Sequence, residues 1–471
     1  MIKRLFASLA LVLCIFPAAR AQVDFDRGGS GINELIAGSD APAVSAPAPE
    51  KGWFSSDEQK PLAPKEWTVL VYVNGKNDLE ASGLYNVNKM ELTGSDSSLN
   101  IVAELGRMSG QQNDVKFDGD WTGSRRFYVT KDTDEEKIKS KVQQTFKNVD
   151  MGDWRHLVDF AKWGMKYYPA KHYALIVWNH GSGWITTKGL SANKGISYDF
   201  ETKNHISTPE LGAAMKEIGK VDILSYDACL MQMAEVLYEV KDYADYVVGS
   251  EETVPGQGFP YDAILPAFSR GGSTGELASG MVAGYNDFYA SKGKKVTLSA
   301  IKVSELGGFM TAFNDWTSAL LASDQKAKIK GAAGRSAAYA YADNKDLYDF
   351  ASRVAALYPD DILGAKSRAL MDVIANRLVV SNIAYTSTGS DKASHGLAIY
   401  LPGKGYNDKY DALAWTRDTR WGDFLKGMKD VAEPELGSGC VKPGPNASLD
   451  EIQAYISCLT ASLRESGLSG L

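Results

Sequence analysis

Tyr173-Ala174-Leu175-Ile176-Val177-Trp178 is an unbroken apolar run that gives way at once to Asn179-His180-Gly181-Ser182-Gly183. A run apolar on both faces reads as a strand covered from two sides, the condition of a parallel sheet wrapped by helices. The next largely apolar strand, Val221 to Tyr226, ends at Asp227-Ala228-Cys229. Beyond it, Leu230, Met233, Ala234 and Leu237 fall at helical spacing and predict a helix over Leu230–Tyr238, starting at the cysteine. A histidine and a cysteine thus arrive at the carboxyl ends of two buried strands, the edge at which open α/β sheets bind ligands.

Working outward, Trp67–Val73, Leu99–Leu105, Arg125–Thr130 and Tyr246–Ser250 read as further strands, and Asp153–Tyr168 and Thr208–Ile218 as helices between them. The alternation predicts an α/β fold, a mostly parallel sheet with helices on both faces. From about Gly272 to Leu425 the pattern is more helical, over Val303–Ala322, Ser336–Tyr358 and Ile362–Val379, with strands expected at Val296–Lys302 and Gly396–Tyr400. This is a helical C-terminal extension of the same unit, since no linker-like break precedes Ala432.

The 471 residues, 44% hydrophobic and 23% charged, suffice for a full-sized core. A net charge of −7 without a basic block implies neither nucleic acid nor an anionic membrane as partner. Two early cations, the short apolar run Leu5–Phe16 and Ala19-Arg20-Ala21 read as a signal peptide over residues 1–21, which implies a secreted or periplasmic protein. Cys14 follows Leu13 rather than a small residue and so is a poor lipid-attachment site. No later run is long enough to span a membrane. Residues 22–65, rich in Gly, Ser, Ala and Pro, read as a flexible leader or pro-segment, residues 66–429 as the catalytic unit, and residues 430–471 as a small tail.

Cleavage of the signal peptide leaves three cysteines. Cys440 and Cys458 flank a short helical pattern in the tail and are natural disulfide partners, closing a loop whose constraint contributes about 3 kcal/mol. Cys229 is then the leftover thiol. At a helix N-terminus, near an imidazolium, it is expected to ionise below the ordinary thiol range. His180 is placed to manage the proton and Cys229 to attack a carbonyl. Gly181 leaves a backbone N–H open to a developing oxyanion.

The blocks Trp67–Glu80, Ile176–Trp184, Ser225–Tyr238 and Ser250–Asp262, with Ser394–Pro402 further on, resemble the clostripain family of cysteine peptidases over roughly residues 66–425. His-Gly after one strand and Asp-Ala-Cys after the next also resemble the wider caspase, legumain and gingipain group. The resemblance implies a caspase-like sheet with His180 as general acid/base, Cys229 as nucleophile, and the N–H groups of Gly181 and Cys229 as oxyanion donors. It implies no separate carboxylate to orient the histidine.

Asp227 has two readings, a cap for the following helix or, as the resemblance implies, the floor of a pocket for Arg or Lys. Glu251, Glu252 and Asp262 flank a loop where they line the substrate pocket or face solvent, with the solvated reading favoured, and Asn74, Asp78 and Glu80 are read as fixing a turn. Gly181–Ile206 has no sustained apolar period and is expected to form a long exposed loop. The resemblance implies activation by internal cleavage there, at Lys194, Lys188 or Lys203, with Lys194-Gly195 preferred. Two other functions compete, a caspase-like peptidase specific for Asn or Asp and a non-catalytic secreted binding module. Protein or peptide substrates are the expected partners, and the chemistry calls for no cofactor. The resemblance raises calcium, but the sequence has no EF-hand-like loop to hold it.

Overall fold

Val69 through Val73 are wholly buried in β1 (Lys65–Gly75), as an apolar run without polar alternation requires. Each such aliphatic side chain contributes roughly 1.5–3 kcal/mol on full burial, so the strand belongs at the centre of its sheet. The computed structural model describes residues 60–111, 114–184, 195–386, 389–390, 394–432, 444 and 448–465. The expected signal peptide, most of the expected leader, Lys188, Lys194 and Cys440 lie outside the described residues.

The chain continues through β2 (Leu99–Arg107), β3 (Gly123–Tyr128), β4 (Val142–Phe146), β5 (Ala170–Trp178) and the hairpin β6 (Gly195–Asp199) and β7 (Asn204–Ser207). Then come β8 (Val221–Asp227), β9 (Ala244–Gly249), β10 (Val296–Lys302), β11 (Asn344–Asp346), β12 (Val379–Thr386), β13 (Gly389–Ser390) and β14 (Ala398–Tyr400). Ten of them form one sheet in the order β13-β12-β10-β9-β8-β5-β1-β2-β3-β4. The five strands β9-β8-β5-β1-β2 are parallel, and both wings are antiparallel.

Helices cover both faces. On one, α1 (Glu80–Thr93) sets Gly83 against Val73, and on the other, α2 (Trp154–Tyr167) sets Gly164 against Leu70. Leu70 and Val73 are three positions apart in β1, so they point to opposite faces. With α2 go α3 (Thr208–Ile218) and α4 (Ala234–Val240), and with α1 go α5 (Tyr261–Arg270) and α6 (Thr274–Ser291). The α3 helix spans the expected residues and starts on a capping box, where the Glu210 carboxylate accepts from the Ser207 N–H and hydroxyl. The C-terminal extension builds α7 (Leu306–Ala322), α8 (Lys326–Arg335), α9 (Leu347–Leu357), α10 (Ile362–Val373), α11 (Ala414–Asp418) and α12 (Trp421–Met428) around buried Phe313, Trp316, Trp415 and Trp421. The last helix, α13 (Leu449–Glu465), carries Cys458.

Several expected helices are shorter than their apolar spacing indicates. Ser336–Tyr358 is helical only over Leu347–Leu357, because Asn344–Asp346 is taken up as β11 against β14. Ile362–Val379 stops at Val373, passes through a π turn, and enters the sheet as β12. The helix after Cys229 begins only at Ala234, since Leu230 adopts φ +63° and the N–H groups of Leu230 and Gln232 donate to Glu252 and Ser250 across the loop. The expected exposed loop Gly181–Ile206 is a correction of another kind. Gly181–Trp184 is buried, and Gly195–Ser207 is the β6–β7 hairpin, with Lys203 exposed at its turn.

Candidate active site

The register aligns Val73 of β1 with Trp178 of β5, and Trp178 with Asp227 of β8, so three strands end at one level. From β1 the chain proceeds to β2 on one side, whereas β5, β8 and β9 proceed away on the other. The edge between β1 and β5 is the topological switch point, where an open α/β sheet leaves its crevice. Asp78, His180 and Cys229 all stand just beyond these strand ends.

The His180 side chain is largely buried, with its ring parallel to Phe200 at 6.2 Å between centroids. Its Nε2 meets Oδ1 of Asp78 at 2.8 Å. Sequence reasoning missed that contact, because 102 positions separate the two residues and nothing local links them. Cys229 is the free cysteine among the described residues and is buried. Its Sγ accepts the Val254 N–H at 3.3 Å. Burial pushes the thiol up to about 12; the N–H groups of Val254 and Gly181 pull against this, while the carboxylates of Glu252 and Asp227 add to it. The thiol is thus pushed up rather than down, and one of the two causes expected to lower it is gone, since the helix begins only at Ala234 and not at Cys229.

Two glycines let the His180 loop lie directly on the Cys229 loop. A Cβ on Gly181 would sit 2.4 Å from the Cys229 carbonyl oxygen, and one on Gly183, at φ +57°, 2.4 Å from Met233 Sδ. Gly181 also bridges to Ile196, which brings the hairpin up to the site. Asparagines fasten that hairpin: Asn179 Oδ1 accepts from Tyr198 N–H at 2.6 Å, Asn77 Nδ2 donates to the Tyr198 carbonyl at 2.7 Å, and Asn74 Nδ2 donates to Ser197 Oγ at 3.1 Å. Beneath them the buried Lys76 pairs with the buried Asp199 at 3.0 Å. Gly195 at the hairpin start is itself buried, and its N–H donates to Ser182 Oγ.

Asp227 is buried, and its Oδ2 accepts from the Phe259 N–H at 2.9 Å and from the Tyr261 hydroxyl at 3.0 Å. With α4 starting seven residues later, it caps no helix. Its Oδ1 is buried without a hydrogen-bond partner among the described residues. Burial pushes this carboxyl up to about 7, against the pull of Phe259 and Tyr261. A Cβ on Gly258 would lie 2.8 Å from Asp227 Oδ2 and 2.9 Å from Asn86 Oδ1, so only a bare glycine can pack this closely over the carboxylate.

Glu251 and Glu252 are not solvated, as the sequence suggested, but buried. Glu251 accepts from the Gly396 N–H at 3.0 Å, and Glu252 from the N–H groups of Thr253 and Ala340. They anchor the loop that presents Val254 to the sulfur. Among the described residues no three His, Cys, Asp or Glu side chains converge to hold a metal ion. No described helix is long and apolar enough to cross a membrane.

A central parallel sheet wrapped by helices, with a histidine and a free thiol at neighbouring strand ends, defines the class of caspase-like cysteine peptidases. The chain belongs to the clostripain family, whose model matches residues 71–428. It is 31% identical to clostripain of Hathewaya histolytica over 225 residues, 44% of this chain and 43% of that protein. The chain thus spans under half the length of that curated relative.

Two solved structures cover 76% of the chain. One is an inactive zymogen C11 protease from Parabacteroides distasonis, 21% identical, with a TM-score of 0.57 and 99% of that chain matched. The other is iotapain, a secreted C11 cysteine protease from Bacteroides thetaiotaomicron, 18% identical, with a TM-score of 0.60 and 100% of that chain matched. At these identities the likeness carries the fold.

Proposed function

We propose that this protein is a secreted endopeptidase that hydrolyses peptide bonds after Arg or Lys, with Cys229 as nucleophile and His180 as general acid/base. The observation that carries the specificity is the buried Oδ1 of Asp227, which has no hydrogen-bond partner among the described residues. A guanidinium or ammonium entering there supplies the missing hydrogen bond and the counter-charge. An Asn or Asp side chain would bring that carboxylate no positive charge.

In the proposed reaction His180 takes the Sγ proton and the thiolate attacks the scissile carbonyl carbon. The carbonyl oxygen becomes an oxyanion facing the N–H groups of Gly181 and Cys229. His180 then passes its proton to the departing amine, which leaves a thioester on Cys229. Water, deprotonated by His180, attacks the thioester and releases the carboxylic acid and the thiol. The steps draw on groups of this chain and on water alone.

The buried, hard-to-ionise thiol suits a latent precursor, and the zymogen among the similar structures is in keeping with that reading. We place the activating cut at Lys194-Gly195, with Lys188 and Lys203 as alternatives. Residues 1–21 are the signal peptide in this reading, 22–65 the leader, 66–429 the peptidase unit and 430–471 a tail closed by a Cys440–Cys458 disulfide. The test is hydrolysis of peptides differing only at the residue before the cut, by wild type, Cys229→Ala and His180→Ala. Turnover at Arg and Lys but not at Asn, Asp or Leu, lost in both folded variants, is the expected result. Substantial turnover in either variant sinks the dyad, cleavage after Asn or Asp instead sinks the pocket, and no turnover of any peptide by the processed chain leaves a binding module.

A further inference from the structure

We propose that Asp78 is a positioning residue for the same reaction, one that fixes the tautomer and ring orientation of His180. The inference rests on the dyad reading of His180 and Cys229, and it adds a third group that the family resemblance does not call for.

The geometry leaves His180 little choice. A carboxylate only accepts hydrogen bonds, so a ring nitrogen 2.8 Å from Asp78 Oδ1 must carry the proton. That nitrogen is Nε2. In the neutral ring Nδ1 then keeps its lone pair, the state needed to take a proton from a thiol. With the opposite tautomer the proton would sit on Nδ1, and the unprotonated nitrogen would be the one held against the Asp78 carboxylate. Phe200, parallel to the ring, limits its tilt, while the Asp78 bond limits its rotation about the side-chain axis.

Asp78 is itself held from both sides. Before it, Asn77 Oδ1 accepts the Leu79 N–H at 2.9 Å while Asn77 Nδ2 reaches the Tyr198 carbonyl, which ties the turn to the hairpin. After it, Glu80 opens α1 and pairs with the buried Arg107, whose Nε donates to Glu80 Oε1 at 2.9 Å. Arg107 in turn donates to the carbonyls of Val115 and Gly119, each at 2.6 Å. Asp78 lies at the amino end of α1, where the helix dipole favours a negative charge. A carboxylate braced in this way costs little further ordering when the ring turns over its proton, the condition for orienting a base.

The test uses full-length Asp78→Asn and Asp78→Glu beside wild type, Cys229→Ala and His180→Ala, with a peptide carrying Arg before the cut. For Asp78→Asn the expected result is a fall in kcat on the order of 100-fold, the scale of a misoriented catalytic group, with KM within about twofold. Asp78→Glu, which restores a carboxylate, should recover at least roughly a tenth of the lost rate. Folded Asp78→Asn with wild-type kcat, while Cys229→Ala and His180→Ala are inactive, overturns the proposal and leaves the dyad standing. Activity in either dyad variant instead overturns the underlying reading. Should Asp78→Asn not fold, ¹⁵N spectra of the Cys229→Ala chain, with Asp78 intact, decide the matter. A slowly exchanging proton on His180 Nε2 is expected, and a proton on Nδ1 or a freely exchanging ring overturns the proposal.

Discussion

The backbone of Gly181 presses on the backbone of Cys229 so closely that a single methyl group would come within 2.4 Å of the Cys229 carbonyl oxygen. The atom in the way is backbone, so it cannot swing aside. Gly181→Ala should therefore push the His180 loop off the Cys229 loop. The expected outcome is a loss of about 1–3 kcal/mol in stability from overpacking and roughly 100-fold in kcat from displaced groups. Denaturant unfolding and steady-state kinetics read both, and a fully active, equally stable variant would remove the close contact from the account.

Alkylation of Cys229 tests the buried thiol. With the thiol pushed up to about 12, the thiolate fraction of the uncut chain is minute at neutral pH and grows about tenfold per pH unit. Iodoacetamide inactivation of the single chain should climb steadily from pH 7 to pH 10 without levelling off, and after processing it should be much faster at pH 7. A plateau below pH 8 in the uncut chain would contradict the burial argument.

The Asp227 carboxyl predicts a pH-dependent affinity. Burial lifts its folded value to about 7, above the ordinary carboxylate value, so with no cation bound the group favours the proton. The sign follows directly: this group's share of stability is full below about pH 4 and is lost as pH rises through about 7. A cationic side chain needs the ionised form. KM for an Arg peptide should therefore fall between pH 6 and pH 8, and in Asp227→Asn it should be flat, with kcat/KM lowered on the order of 100-fold. An Arg-peptide KM in wild type that does not respond to pH would count against the pocket.

Glu104 offers a stability test away from the cleft. Although burial raises its carboxyl, Arg126 and His156 hold it down at about 2. Arg126 Nε donates to Glu104 Oε2 at 2.7 Å, and His156 Nε2 meets Glu104 Oε1 at 2.5 Å. Because the folded value is depressed, this contribution is present above about pH 4.5 and is lost as pH falls through about 2. Glu104→Gln should cost about 3–5 kcal/mol at pH 7, the cost of stranding a buried charge, and the difference from wild type should shrink on acidification. Urea titrations at pH 7 and pH 3 measure it, and equal differences at the two pH values would refute the assignment.

The strands were legible because their burial is nearly complete. In Tyr173–Trp178 and Val221–Tyr226 all but Tyr173 and Asp222 are buried, and both runs lie in the sheet at the expected positions. What misled the sequence reading was apolar spacing without helix. Leu230, Met233, Ala234 and Leu237 are all buried, yet only the last two are helical, because burial against Gly181, Gly183 and the Glu252 loop imposes the same hydrophobic pattern. The polar residues proved harder still. Asp78, Glu251 and Glu252 find partners 88 to 145 positions away, and no local pattern encodes such pairings. Chain separation likewise hides β12, whose strand character comes from β10, more than 70 residues earlier.

The order of the strands also bears on when this protein can first act. Asp78 follows β1, His180 follows β5, and Cys229 follows β8, while the sulfur's hydrogen-bond partner, Val254, comes later still. During synthesis the ribosome releases β1 to β4 first, a portion of the sheet with an open flank where β5 and β8 will dock. A nascent chain in that state has none of the proposed reacting groups in place, so it cannot digest its neighbours or itself. In this topology the proposed chemistry is postponed until more than half of the chain has been made, a safeguard that comes from connectivity alone.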